Sequence, residues 1–314
     1  MVLVLVILGR LKINNLFSLT FDMDGIDVLC DGYGVTASYS PVVYTKAVPR
    51  MLQLLSDENV KATFFIIANK VNDKSVRDAI KEMSSEGHEI ANHSFDHEHY
   101  LYRNYNETEE DLRKSTALLE GIIGKQIVGF RGPSLTFNKY TPELLKKYGY
   151  TYDSSIHPTP LFLGEWIYLS LFSPGKRNKP DLFFLRHAIN RLAPYPVSSN
   201  SFFKKDRTGT IVEFPISATP VFRLPYYPTF HFMVKFTEPL LRHLYFTGRR
   251  LVFLAHGLDF LNIDEDDLAP GFKVHPGLCM RVEQKNIYFK KIIANAKKNH
   301  EVCTLARQRE EFQL

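Results

Sequence analysis

The sequence predicts an α/β chain whose parallel strands close into a barrel. Three observations carry that prediction. Strand-like and helix-like segments alternate for most of the 314 residues. The links between them are short. The strongly polar residues fall at the C-terminal ends of the strand segments, which a parallel barrel gathers at one mouth. A chain this long buries a full core, and one α/β barrel spanning 1–314 as a single domain fits it.

The elements follow in order. SLTFDMD places Leu19, Phe21 and Met23 on one side and Ser18, Thr20, Asp22 and Asp24 on the other, so two acids share a strand face. After Pro41, VVYTKAVPRMLQLLSDEN reads as a helix kinked at Pro49, and KATFFIIAN as the second strand. DKSVRDAIKEMSSEG is a helix stopped by Gly87, and HEIANH the next strand. Asn106 and Glu109 have capping-box spacing ahead of EDLRKSTALLEGIIG. QIVGFRGP is a strand, TPELLKKYG a helix with Thr141 as N-cap and Pro142 at its first position, and YTYDSS a strand. From 157 to 207 the pattern fails in an aromatic-, Pro- and Arg/Lys-rich stretch, read as an insertion or lid. TIVEFPIS restores the strand signal. FTEPLLRHLYFTG is a helix, RRLVFLAHGLDF a strand and RVEQKNIYFKKIIANAKKN the last helix.

Composition excludes some classes. The formal net charge of +5 is spread along the chain without a basic helix carrying interleaved aromatics, which argues against nucleic acid. Cys30, Cys279 and Cys303 are odd in number and far apart, in no metal-like spacing, so a reduced intracellular setting is expected. The opening run MVLVLVILGRLKINN is too short to span a bilayer and reads as an extra strand or tail, with an uncleaved anchor as the alternative. A cytoplasmic location is the expectation, with peripheral contact at the inner membrane face.

The chemistry lies in the strand ends. In HSFDH, His93 and His97 are spaced to share one side of a helical turn and bind one metal. Taken alone, such a pair is as readily two surface histidines; an acid pair on another strand end favours the metal. Two acids one residue apart on a face repel unless a cation or an arginine compensates. A metal beside Asp24 and Arg131 near Asp22 supplies both, leaving one carboxylate to ligate and the other free as a base. Two imidazoles and one carboxylate leave open positions for water, a hydrolytic arrangement. Zinc suits that set best, and cobalt, nickel or iron also fit.

LTFDMDG, HSFDH, FRGPS, YDSS and FLAH, in this order, resemble the successive motifs of the polysaccharide deacetylase family, also called NodB-homology or carbohydrate esterase family 4 proteins. The resemblance covers roughly 16–160 and 210–305 and rests on five motifs in order. It implies a distorted (β/α) barrel of seven strands and metal-dependent removal of an N-acyl group, usually acetate, from an amino sugar. Position by position it makes Asp22 the general base, Asp24, His93 and His97 the metal triad, and Arg131 the residue that orients the base. Asp153 is then the acid associated with the catalytic histidine, and His256 the general acid. His256 taken alone, after an apolar strand, would read as a core histidine. The sequence departs from many members in having DMD rather than adjacent aspartates, and resembles members acting on lipid-linked sugars.

An N-acylated amino sugar in a glycolipid, lipid-linked saccharide or surface-polysaccharide precursor is therefore the expected substrate. In the insertion, Phe162, Trp166, Ile167, Leu169 and Phe172 precede Lys176, Arg177, Lys179 and Arg186, a composition that suits either a lid or contact with membrane lipid. EFPISATPVFRLPYYPTF adds more aromatics and Pro to the same task. Three other readings compete: a deformylase or other linear-amide hydrolase, a catalytically silent carbohydrate- or lipid-binding barrel, and a peripheral membrane scaffold that uses the aromatic insertion.

Overall fold

The computed structural model describes residues 15–33, 35, 39–160, 182–233 and 250–312. The opening apolar run, the aromatics at 162–172 and the helix expected over 236–248 lie outside these residues. In chain order the elements are β1 (Leu16–Asp22), α1 (Ile26–Tyr33), α2 (Val48–Asp57), β2 (Thr63–Ile66), α3 (Lys74–Ser85), β3 (Glu89–Asn92) and α4 (Tyr105–Ile123). Then come β4 (Gly129–Phe130), α5 (Thr141–Lys147), β5 (Tyr152–Asp153), α6 (Leu182–Ala188), β6 (Tyr195–Ser198), β7 (Ser201–Lys205), β8 (Val212–Glu213) and α7 (Pro228–Met233). The chain continues through β9 (Arg250–His256), α8 (Val282–Lys297), β10 (Glu301–Val302) and α9 (Leu305–Glu310).

Seven strands run parallel in the order β9-β1-β2-β3-β4-β5-β8. β10 adds to the start of β1, and the β6–β7 hairpin joins β8 antiparallel. Between β8 and β9 the curled sheet is bridged around one residue. Ser217 N donates to the Val252 carbonyl at 2.9 Å, and Val252 N donates back to Ser217 Oγ at 2.8 Å. The expected distorted seven-stranded barrel is thus observed, with a seam where a full ladder would close it.

Alternation along the strands sorts the core into two compartments. Phe65, Ala91, Tyr152, Val212, Phe214, Val252 and Leu305 fill the lumen, and α9 stoppers its N-terminal end, where Gln308 Nε2 donates to Ser18 Oγ at 2.9 Å. The opposite strand faces pack on the helices. Phe21 stacks on Phe64 at 5.2 Å between centroids and meets Phe260 edge-on at 5.8 Å. Leu19, Phe21 and Met23 are fully buried on that outer side, as the β1 alternation requires.

Several local expectations shift. Helical backbone runs from Val42 through a π-helical turn over Val43–Ala47 into α2, so Pro49 lies inside the continuous helix expected after Pro41, and the irregularity falls in the turn just before it. The capping box of α4 is formed by Asn104 and Glu107, two residues before the expected pair, because both pairs have the required spacing. Thr141 is the first residue of α5 rather than its cap. Asn138 Oδ1 accepts from the N–H groups of Tyr140 and Thr141 instead. The segment expected to be irregular holds α6 and the β6–β7 hairpin among its described residues. Gly87 ends α3 at φ 84°, as expected.

Candidate metal and catalytic site

Parallel strands and the loops that leave them carry six of the seven expected residues to one mouth of the lumen. β1 ends at Asp22, whose register partners are His256 on β9 and Phe65 on β2. His93 follows β3 and Arg131 follows β4, and Arg131 N donates to the Asn92 carbonyl at 3.0 Å. Asp24, two residues past β1, and His97, in the loop after β3, complete the group.

Asp24 stands at its centre. His93 Nε2 and His97 Nε2 each lie 3.5 Å from Asp24 Oδ1, and His256 Nε2 lies 3.7 Å from Oδ2. One ligand atom each from Asp24, His93 and His97 falls within 4.8 Å of the others. Asp24 Oδ1 is buried and accepts no hydrogen bond, an orphan that a bound cation would satisfy. His93 Nδ1 pairs with the Arg131 carbonyl at 2.8 Å, which sets that nitrogen as the donor and leaves Nε2 with its lone pair toward Asp24.

The electrostatics match the donor set. Burial alone would push the Asp24 carboxyl up, but His97, His93 and His256 around it hold it well below the usual carboxylate range. Burial brings the His97 imidazole down to about 4, so its ring is neutral at pH 7. Burial also pulls on His93, but the Asp22 and Asp24 carboxylates raise it overall, a proton that a cation would displace. The residues present therefore fit a divalent cation.

The HSFDH segment reaches this geometry as a loop, not as the expected helical turn. Ser94 and His97 adopt left-handed backbone at φ 70° and 63°, each costing on the order of 1–3 kcal/mol. The surrounding bonds compensate. His97 N donates to Ser94 Oγ at 3.0 Å, Phe95 N donates to Asp111 Oδ1 at 3.0 Å, and Asn69 N donates to the Phe95 carbonyl at 2.8 Å. Asp111 is itself held by Tyr100 Oη and by Arg103 Nη1 at 2.7 Å, and Arg103 also pairs with Asp96.

Asp22 is held differently. Arg131 Nη1 donates to Asp22 Oδ1 at 2.6 Å and to Thr20 Oγ1 at 3.1 Å, while Nε donates to the Ser154 carbonyl at 2.8 Å and Nη2 to Ser154 Oγ at 2.9 Å. The guanidinium also lies over the Phe65 ring at 4.1 Å. Gly132 admits the tight turn that follows: a Cβ there would stand 2.0 Å from the Thr136 carbonyl oxygen.

Asp153 sits elsewhere. Tyr152 occupies the lumen, so Asp153 points to the other face of the sheet, where its register partner on β8 is Glu213. Asp153 accepts from Ser155 N and Ser155 Oγ, both at 2.9 Å, and Ile156 N donates to Glu213 Oε1 at 3.0 Å. Both acids are fully buried. Burial pushes Asp153 up to about 6, and burial with the neighbouring Asp153 charge raises Glu213 as well, so the pair holds a proton between them. No hydrogen bond or ion pair joins Asp153 to a histidine among the described residues, although Arg131 lies near enough to favour its charge.

The acid beside His256 is Asp259, whose Oδ2 accepts from His256 N at 2.8 Å. Tyr227 meets the His256 ring edge-on at 5.5 Å. Neither residue was singled out by sequence, nor were Glu213 and Asp111. Glu213 did carry the signal that marked the others, a polar residue ending an apolar strand in TIVEFPIS. Asp259 lies past its strand and Asp111 inside a helix, where that signal is absent. Asp27, in the first turn of α1, pairs with Lys70.

Residues 15–152 match the family model described as Polysaccharide deacetylase. The chain is 31% identical over 109 residues to a peptidoglycan deacetylase of Helicobacter pylori, covering 35% of this chain and 36% of that protein. It is 33% identical over 103 residues to a peptidoglycan-N-acetylmuramic acid deacetylase of Bacillus subtilis, covering 32% and 38%. The matches thus span little more than a third of the length of these relatives. Two solved structures share the fold. A Mycobacterium smegmatis protein provisionally described as a polysaccharide deacetylase has a TM-score of 0.59 at 18% identity, covering 96% of this chain and 91% of that one. A probable polysaccharide deacetylase of Pseudomonas aeruginosa has a TM-score of 0.53 at 15% identity, covering 93% and 88%. With its motifs in order and its strand ends converging as they do, the chain is similar over residues 15–152 to the polysaccharide deacetylase family.

Proposed function

We propose that this protein is a metal-dependent hydrolase that removes the N-acetyl group from an amino sugar. The observation that carries the reading is the division of labour between two acids at and just past the end of β1. Asp24 lies within 3.5 Å of both His93 and His97, whereas Asp22 is bound through Oδ1 to Arg131. Asp24, His93 and His97 would hold the divalent cation, which when bound supplies Lewis-acid polarisation of the amide carbonyl and of a water. Zinc suits two imidazoles and a carboxylate best.

The chain's own groups do the proton work. Arg131 fixes Asp22 Oδ1 and leaves Oδ2 turned toward His93 Nε2 at 3.9 Å, placed to take the proton of an attacking water. His256, on the opposite side of Asp24, is placed to protonate the leaving amine, without which the amine departs poorly. Asp259 anchors the His256 backbone. Asp153 acts with Glu213 behind Arg131, and through it on the base.

The names of the relatives, peptidoglycan deacetylases, supply the substrate class: an N-acetylated amino sugar of a glycan strand or of its lipid-linked precursor. The test is acetate release from N-acetylated chito-oligosaccharide and from lipid-linked amino sugar, with zinc content measured on the same samples. Wild type should release acetate and carry zinc. Asp22→Asn should keep zinc and lose turnover, by roughly 10²–10⁴-fold, and His93→Ala should lose both. Equal metal in wild type and His93→Ala would sink the site, and release of formate in place of acetate would redirect the reading to a deformylase.

A further inference from the structure

Of the eight large apolar side chains exposed among the described residues, four fall in two neighbouring segments: Leu185, Ile189, Val221 and Phe222. Ile189 and Val221 are each 81% exposed and Phe222 68%. Scattered single apolar residues need no explanation, but a cluster does. Val221 and Phe222 form the tip of a tight hairpin. Ala218 bridges Pro225 below it, Thr219 N donates to the Leu224 carbonyl at 2.9 Å, and Arg223 N donates to the Thr219 carbonyl at 3.0 Å. Arg223 takes left-handed backbone at φ 50° to close the turn, and its Nη1 donates to the Asn190 carbonyl at 2.7 Å. That bond ties the hairpin to the turn that ends α6, with Leu185 on the helix and Ile189 just past it. The tip is braced outward rather than folded back.

The stretch that carries it is mainly basic. Residues 182–233 carry Arg186, Arg191, Lys204, Lys205, Arg207 and Arg223 against only Asp206 and Glu213, and Glu213 is buried. The Arg186 guanidinium lies over the Phe203 ring at 4.3 Å and that of Arg191 over the Tyr195 ring at 5.7 Å. Apolar tips among arginines suit an anionic lipid interface, where the tips enter the acyl boundary and the guanidinium groups meet phosphate.

The hairpin also leads to the mouth. Past Pro225, Tyr226 N donates to the Ser217 carbonyl and Leu254 N donates to the Tyr226 carbonyl, and Tyr227 follows against His256. Phe222 and Tyr227 are five positions apart in the chain, a reach of at most roughly 18 Å. We propose that the 218–225 hairpin and the end of α6 form a docking surface for an anionic lipid bilayer, which sets the mouth of the barrel beside lipid-borne substrate. The docking stands apart from the amidase reading; only its use for lipid-borne substrate rests on it.

The test is co-sedimentation of the full chain with vesicles of phosphatidylcholine and of phosphatidylcholine mixed with phosphatidylglycerol. Wild type should bind the mixed vesicles at least about tenfold more tightly than the neutral ones, less so in high salt. The Ile189→Ser/Val221→Ser/Phe222→Ser triple variant should weaken that binding about tenfold or more at unchanged melting temperature, since these side chains bury little. Its turnover of water-soluble chito-oligosaccharide should match wild type. The proposal is overturned if wild type does not sediment with the mixed vesicles, or if the triple variant binds them as wild type does. A concentration-dependent dimer that the triple variant abolishes, without vesicle binding, would assign the face to a second copy. Vesicle binding by a chain that hydrolyses no N-acyl sugar would leave the surface standing and remove the amidase.

Discussion

Arg131 donates through Nη1 to Asp22 Oδ1 at 2.6 Å, in an ion pair whose side chains are 0% and 4% exposed. A pair this buried adds little net stability while intact, but removing one partner strands the other charge. Arg131→Met should therefore destabilise the fold by about 3–5 kcal/mol in denaturant titration. Adding Asp22→Asn should recover part of that loss, because the stranded charge goes with it. An Arg131→Met single variant as stable as wild type would show that the lumen tolerates Asp22 uncompensated.

Metal binding should be visible without any substrate. A cation that binds only the folded chain raises stability by about 2.7 kcal/mol at a hundredfold excess over its dissociation constant. Zinc should raise the melting temperature of wild type and a chelator should reverse it. His97→Ala, lacking one corner of the triad, should show no zinc shift.

His256 lies beside Asp24 but outside the three-ligand set. Its replacement by Gln should leave zinc content unchanged and lower kcat by roughly 10²–10⁴-fold, with KM little altered. Loss of zinc in that variant would make His256 a ligand rather than a proton donor.

The Asp153–Glu213 pair predicts a pH signature with a definite sign. Its folded-state carboxyls titrate above their unfolded values, so between the ordinary carboxylate range and about pH 6 the folded chain holds more protons than the unfolded one. Stability from this pair is accordingly greatest at the acid side of that window and declines as pH rises through it. Glu213→Gln removes the like charge beside Asp153 and should flatten that slope in a melting-temperature profile. An unchanged profile would mean that the pair does not share a proton.

Local periodicity wrote much of this protein into its sequence. The alternation in SLTFDMD placed Asp22 on the lumen side and Phe21 against the helices, because a strand's side-chain period is a property of the backbone, while Asp24 reaches the same mouth from just past the strand. The same rule put His93, Arg131 and His256 at strand ends, and parallel pairing gathered them. Where two local solutions were equally good, sequence could not choose: Asn104–Glu107 and Asn106–Glu109 both have capping spacing, and the start of α4 selected the first. The left-handed backbone of Ser94 and His97 had no local signal, since its cost is met by Asp111 and Asn69, which come from other elements. Asp153 shows the division most clearly. Its position at a strand end was legible, but its partner was decided by the β5–β8 register, which brings Glu213 across from a distant part of the chain. Periodicity sets which face a side chain takes; only the packed sheet sets what it meets there.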